Sequence, residues 1–186
     1  MQISSLFDSG NIRVIRAEQP DDIMLAINKD NQSDFYQWFH FRLTGEVNRL
    51  HTLHISDLAS SAYPKGWEGY KVLASYDRQT WFRVDSEFNG DTLTFSIALE
   101  QPQVYFAYFI PYSYERHLDL LADAQCSPLC ELKYLGDTLD GRDMSMLVIG
   151  EPGEDKRNIW ITARQHPGES MAEWCAEGII ARLLDE

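Results

Sequence analysis

The chain has 186 residues, room for one large domain or two small ones. Its hydrophobic content of 44% and aromatic content of 12% belong to a folded globular protein and exclude a disordered one. Up to residue 110 there are nine basic and 14 acidic residues, and after it seven and 15, for a net charge of −13. Neither half carries the positive charge a phosphate backbone selects, so no nucleic-acid partner is expected.

No run approaches the roughly 18–20 apolar residues of a membrane span, and the first residues lack the basic and apolar regions of a secretory signal. Cys126, Cys130 and Cys175 are an odd count for a disulfide framework. Reduced thiols and a cytoplasmic location without a membrane partner follow as the expectation.

From the start to about Ile110 the pattern is β-rich. Strands are predicted over Phe35–Leu43, Val47–Ser56, Lys71–Tyr76, Thr80–Asp85, Thr92–Leu99 and Gln103–Phe109, where aromatic and β-branched residues concentrate. Turn signals separate them: Thr44-Gly45, Tyr63-Pro64-Lys65-Gly66, Asp77-Arg78, Asn89-Gly90-Asp91 and Gln101-Pro102. Asp77-Arg78-Gln79 reads as a tight hairpin. Strands this short and this closely spaced predict an antiparallel β-sandwich over residues 1–111.

Pro111 marks a change of texture. Tyr114–Ala124 reads as a helix with Leu118, Leu121 and Ala122 on its apolar side. Glu131–Asp137 and Met144–Ile149 flank Asp140-Gly141, a strong hairpin signal, and Arg142 is placed to tie that hairpin to a neighbouring element. Asn158–Ala163 reads as a buried strand and Ser170–Leu184 as a helix apolar on most sides, the kind normally covered on more than one face. Residues 112–186 thus resemble the opening of an α/β domain rather than a complete one, and the whole is of mixed α and β class.

Between that strand and that helix lies the most informative segment, His166-Pro167-Gly168-Glu169. Neutral imidazole and carboxylate are two of the ligand types a catalytic zinc ion takes. The spacing by itself is weak: five histidines, each with about a 7% chance of a Glu three residues on, match at random about one time in three. Context strengthens it. Pro167 and Gly168 enforce a turn, Ser170 with Glu173 fits a capping box, and Glu169 lies beside the positive end of the helix dipole.

Arg164-Gln165-His166-Pro167-Gly168-Glu169-Ser170-Met171-Ala172-Glu173-Trp174 resembles the first zinc-ligand segment of the carboxypeptidase A-like zinc carboxypeptidases, in the form found in the cytosolic carboxypeptidase branch. The segments Tyr63–Tyr70, Ala74–Arg78, Thr80–Arg83, Ala107–Tyr112 and Leu135–Arg142 resemble that branch in the same order. The similarity runs from about Asp34 onward. It implies an N-terminal antiparallel β-sandwich followed by the opening elements of an α/β catalytic domain, a single Zn²⁺ with His166 and Glu169 as two of its three protein ligands, and hydrolysis of C-terminal amino acids from peptides or protein tails by zinc-activated water. The third ligand, the arginines that hold the substrate carboxylate and the general-base Glu lie past residue 186 in the family. No catalytic residue is therefore carried over, and the 186 residues alone are expected to bind zinc weakly and to be inactive. A stand-alone, non-catalytic β-sandwich binding or folding module is the alternative.

Other constellations are weaker. His51 and His54 lie three apart on a predicted strand and so point to opposite faces. His40 sits among aromatics and reads as packed against the sheet, and His117 as a surface residue. Trp67, Tyr70, Tyr76, Trp81 and Phe82 read as core and turn packing rather than a ligand platform. Cys126 and Cys130 lack a second pair to complete a metal site.

Overall fold

A computed structural model describes residues 1–185. The chain forms two compact units, the first Met1–Pro111 and the second beginning at Tyr112.

The first unit contains ten strands: β1 (Gln2–Ser4), β2 (Arg13–Arg16), β3 (Ile23–Ala26), β4 (His40–Thr44), β5 (Leu50–Ser56), β6 (Val72–Ser75), β7 (Phe82–Val84), β8 (Ser86–Phe88), β9 (Leu93–Ala98) and β10 (Gln103–Ala107). They make two five-stranded sheets, β1-β4-β10-β6-β7 and β2-β3-β5-β9-β8. Strand β5 shows why these residues form a half-buried sheet. His51, Leu53 and Ile55 are buried while Thr52, His54 and Ser56 stay partly exposed, the period-two alternation that puts one face inward. The rings of Phe95 on β9 and Phe106 on β10 lie 5.1 Å apart. Since β9 and β10 belong to different sheets, that contact makes the unit a sandwich. Ile23, Leu25, Leu53, Ile55 and Leu93 from one sheet meet Phe41, Leu43, Val72, Val104 and Phe106 from the other, all fully buried.

Two expectations are corrected here. The sandwich is not purely antiparallel, because β3 pairs with β5 in parallel, Ile23 opposite Leu53. The intervening β4 lies in the opposite sheet, so the chain crosses over and returns running the same way. The stretch Phe35–Phe39 is also not strand: pairing starts at His40, and Tyr36 and Gln37 instead bond the loop at Asp57 and Tyr63. Strands β1, β2, β3 and β8 had no predicted counterpart. They are three or four residues long, too short to show a period.

The turn between β6 and β7 is longer than a tight hairpin. Ala74 pairs with Phe82, and the Asp77 carboxylate accepts the backbone N–H groups of Gln79 and Thr80 at 2.8 and 2.7 Å. Those two donors, Thr80 first, hold the Asp77 carboxyl down at about 2. Trp67 is fully buried and donates to Ser61 Oγ at 2.8 Å, and the Tyr70 hydroxyl donates to the Tyr108 carbonyl at 2.5 Å. Both are core residues with their polar handles satisfied. His51 is buried with Nδ1 against the Arg49 carbonyl, whereas His54 meets Thr94 on the other face, so the two do not converge.

In the second unit α1 (Tyr114–Ala124) has the predicted bounds and is capped by Ser113, whose side chain accepts the Arg116 N–H. Its covered side differs from the prediction: Leu118 and Ala122 are exposed, while Tyr114, His117, Leu121 and Ala124 are at least partly covered. His117 is therefore half-buried rather than a surface residue. The hairpin β11 (Cys130–Asp137) and β12 (Asp143–Ile149) turns through Gly141, at φ 75°, a backbone region glycine enters without steric cost. The Arg142 guanidinium stands 4.6 Å from the Tyr114 ring centroid, tying the hairpin to α1 by a cation–π contact. The second helix is α2 (Ser170–Leu184).

The predicted strand Asn158–Ala163 is corrected. Among the described residues it has no ladder partner, and Ile159, Trp160 and Ile161 are 82%, 72% and 54% exposed. Its β-branched and aromatic composition favours a strand, but a strand exists only where a neighbour supplies the ladder hydrogen bonds. The described hairpin strands pair with each other alone. No helix among the described residues is long and apolar enough to cross a membrane.

Candidate metal centre

The segment from Arg164 to Glu169 feeds directly into α2. Pro167 sets the second position of a turn in which the Glu169 N–H donates to the His166 carbonyl at 3.0 Å. A four-residue turn brings its first and last residues together, which is what a spacing of three achieves here. His166 Nδ1 lies 2.8 Å from Glu169 Oε1, and the His166 N–H reaches Glu169 Oε2 at 3.2 Å. The ring contact first, and the backbone donor after it, hold the Glu169 carboxyl below the usual range.

The donor set fits a zinc ion in chemistry. The imidazole Nδ1 and the carboxylate Oε1 are hydrogen-bonded to each other, and the side chains are 77% and 42% exposed, open to an entering ion. Two tetrahedral ligands at zinc distances sit about 3.3 Å apart, and the observed 2.8 Å needs only a small opening of the pair. No third member is at hand: among the described residues no group of three or more His, Cys, Asp or Glu could hold a metal. Cys126 and Cys130 are free thiols, one exposed and one half-buried.

The capping-box expectation is corrected. Glu169, not Ser170, occupies the N-cap position of α2, without a side-chain capping bond. Ser170 is the first helical residue and fully buried. Glu173 does not reach back to the helix start, because Arg164 takes it: Arg164 Nη1 donates to Glu173 Oε2 at 2.6 Å. Both partners of that bond are ionised, whereas a capping contact would carry charge on the carboxylate alone. The same Nη1 donates to the Tyr112 carbonyl at 3.0 Å, and Nε and Nη2 approach the Pro167 carbonyl at 3.4 and 3.3 Å. Arg164 is the residue that reasoning from sequence left without a role. Neither helical nor strand periodicity links residues 164, 112 and 173, so nothing in the local pattern signals it.

Behind the turn, α1 and α2 are joined by Arg116, which donates to Glu177 from Nε at 2.8 Å and from Nη2 at 2.5 Å. Its guanidinium lies 4.1 Å from the Trp174 ring centroid. A shallow groove lined by Tyr114, His117, Leu121, Leu132 and Ser145 contains neither His166 nor Glu169.

Comparison with known proteins gives the family. Residues 3–109 match the family model of the cytosolic carboxypeptidase N-terminal domain, and residues 114–186 that of the zinc carboxypeptidases. The chain belongs to the zinc carboxypeptidase family, in its cytosolic carboxypeptidase branch. An uncharacterised protein of Zymomonas mobilis is 44% identical over 186 residues, covering 100% of this chain and 48% of that relative. Cytosolic carboxypeptidase 2 of Xenopus tropicalis is 26% identical over 224 residues, covering 100% and 22%. Among solved structures, a metallo-carboxypeptidase from Burkholderia cenocepacia superposes with a TM-score of 0.93 at 46% identity, covering 98% of this chain and 48% of the other. The metallo-carboxypeptidase from Pseudomonas aeruginosa, solved in complex with (2-guanidinoethylmercapto)succinic acid, gives 0.92 at 42%, covering 100% and 50%. The chain thus spans about half the length of these structures, and the mixed α and β class of the carboxypeptidase fold is established for it.

Proposed function

We propose that the protein to which this chain belongs is a cytoplasmic zinc metallocarboxypeptidase acting on the C-terminal tails of peptides or proteins. The observation that carries the reading is the 2.8 Å approach of His166 Nδ1 to Glu169 Oε1 on an exposed turn at the start of α2. Family membership supplies the reaction class. His166 and Glu169 are the two residues of this chain that would hold the single Zn²⁺ ion. What the ion supplies when bound is polarisation of the scissile carbonyl and acidification of a water molecule.

This chain's own residues bind and orient. The turn keeps the imidazole and carboxylate on one side, and the helix start behind Glu169 favours its ionised form. Two ligands leave zinc short of the three a catalytic site uses, so residues 1–186 alone do not hydrolyse peptides. Peptidase activity from the isolated, contaminant-free 186 residues would overturn that statement. The assignment of the ligands is tested by metal analysis of the full-length protein beside His166→Ala and Glu169→Ala. Each substitution should strip stoichiometric zinc; unchanged zinc content in both would reject the pair.

A further inference from the structure

We propose that Arg164 is a positioning residue for the His166–Glu169 pair, holding the ligand turn from behind through one guanidinium shared by three elements. The inference rests on the reading of that pair as metal ligands. Its structural basis is separate from it. Arg164 Nη1 is bonded to Glu173 in the first turns of α2 and to the carbonyl of Tyr112, two residues ahead of α1. Nε and Nη2 face the carbonyl of Pro167, inside the turn whose ends carry the two donors. Displacing the guanidinium therefore removes at once its bonds to the turn, the helix start and the Tyr112 backbone.

Two further observations bear on this arginine. Its backbone sits at φ 54°, a left-handed conformation that L side chains other than Asn and Asp seldom adopt and that tends to collect at functional sites. A glycine would relieve that strain but could not hold the three acceptors. The ion pair is also sheltered, with the Arg164 and Glu173 side chains 23% and 19% exposed, less than in the other arginine and lysine pairs among the described residues; Glu173 also faces His117 Nδ1 at 3.8 Å. Lysine could neutralise Glu173 but cannot direct donors to Pro167 and Tyr112 together, because an ammonium lacks the planar fork. Groups that orient metal ligands from outside the coordination sphere typically change metal affinity 10–100-fold when removed.

The test uses the full-length protein and its Arg164→Lys, Arg164→Met, Arg116→Met and His166→Ala variants. Zinc affinity is read by competition with a chromogenic chelator, and thermal midpoints are taken on the metal-free proteins. Arg116→Met breaks a link between α1 and α2, the Arg116–Glu177 pair, without touching the turn, so it reports loss of general packing. The proposal expects both Arg164 variants to bind zinc about 10–100-fold more weakly, Arg116→Met to stay within about twofold, and His166→Ala to lose the ion. Zinc affinity unchanged in both Arg164 variants, with His166→Ala stripped, would overturn the positioning role alone. An equal loss in Arg116→Met would overturn it too, by making the effect one of packing. Retention of zinc by His166→Ala would instead remove the ligand reading on which the proposal stands.

Discussion

The two units are held together by different physics. In the first, large apolar side chains from both sheets reach zero exposure, among them Phe39, Phe41, Phe106, Leu43 and Leu53, and each contributes about 1.5–3 kcal/mol of burial. In the second, the fully or nearly buried residues are few, Tyr112, Ala124 and Ser170. Much of the holding there falls to guanidinium groups: Arg116 on Glu177 and Trp174, Arg164 on Glu173, and Arg142 on Tyr114. The first unit is an apolar core, and the region bearing the His166–Glu169 turn is a set of polar clamps around exposed apolar surface. Orientation is what such clamps provide, since geometry-specific charge-assisted bonds fix direction in a way that non-directional burial does not.

Several changes would break or sharpen this contrast. Phe106→Ala is expected to have the largest effect. Its ring is fully buried between Phe41 at 5.2 Å and Phe95 at 5.1 Å, and the cavity should cost about 3–5 kcal/mol, read by urea unfolding of the first unit. A loss below about 1 kcal/mol would mean the two sheets do not depend on this contact.

Acid comes next. His40 is fully buried, packed by Phe7, Trp38, Trp81 and Tyr105 with Nδ1 on Ser9 Oγ. Burial first, and the Arg78 charge second, push its pKa down to about 3. A folded-state pKa below the unfolded one means the native state excludes the proton. The stabilisation is therefore complete above about pH 6.5 and is lost as pH falls from there towards 3. A loss of roughly 2–4 kcal/mol over that window follows for the first unit, and His40→Leu should flatten that limb in a stability–pH profile. An unaltered limb would place the acid sensitivity elsewhere.

The smallest effect belongs to the second unit. Trp160, 72% exposed, can become Ser in the 186-residue chain with a stability change within about 0.5 kcal/mol. The same change should reduce self-association measured by sedimentation, because an exposed apolar run attracts partners. A large destabilisation would show Trp160 to be packed.

Legibility from sequence differed between the units for reasons visible in particular residues. Strand β5 was legible because its alternation extends over seven residues, and α1 because Leu118, Leu121 and Ala122 recur at helical spacing after Pro111. Strands β1 and β8, of three residues each, carry no period to detect. Within the candidate site, His166 and Glu169 were legible as a turn with donors at both ends. Glu173 misled, since its spacing from Ser170 suits a capping box while a distant arginine competes for it and wins.

By itself, then, the sequence determined where the longer strands such as β5, the helices and the two-donor turn would form, because each depends on residues a few positions apart. The tertiary structure alone decided which strands pair and in which direction, as with β3 beside β5, and whether an apolar run such as Ile159–Ile161 finds a ladder. It also decided that Arg164 would be spent on Glu173, Tyr112 and Pro167. Those outcomes rest on partners up to 52 residues apart, as in the Arg164–Tyr112 bond, and no local period encodes which acceptor folding will bring within reach of a donor.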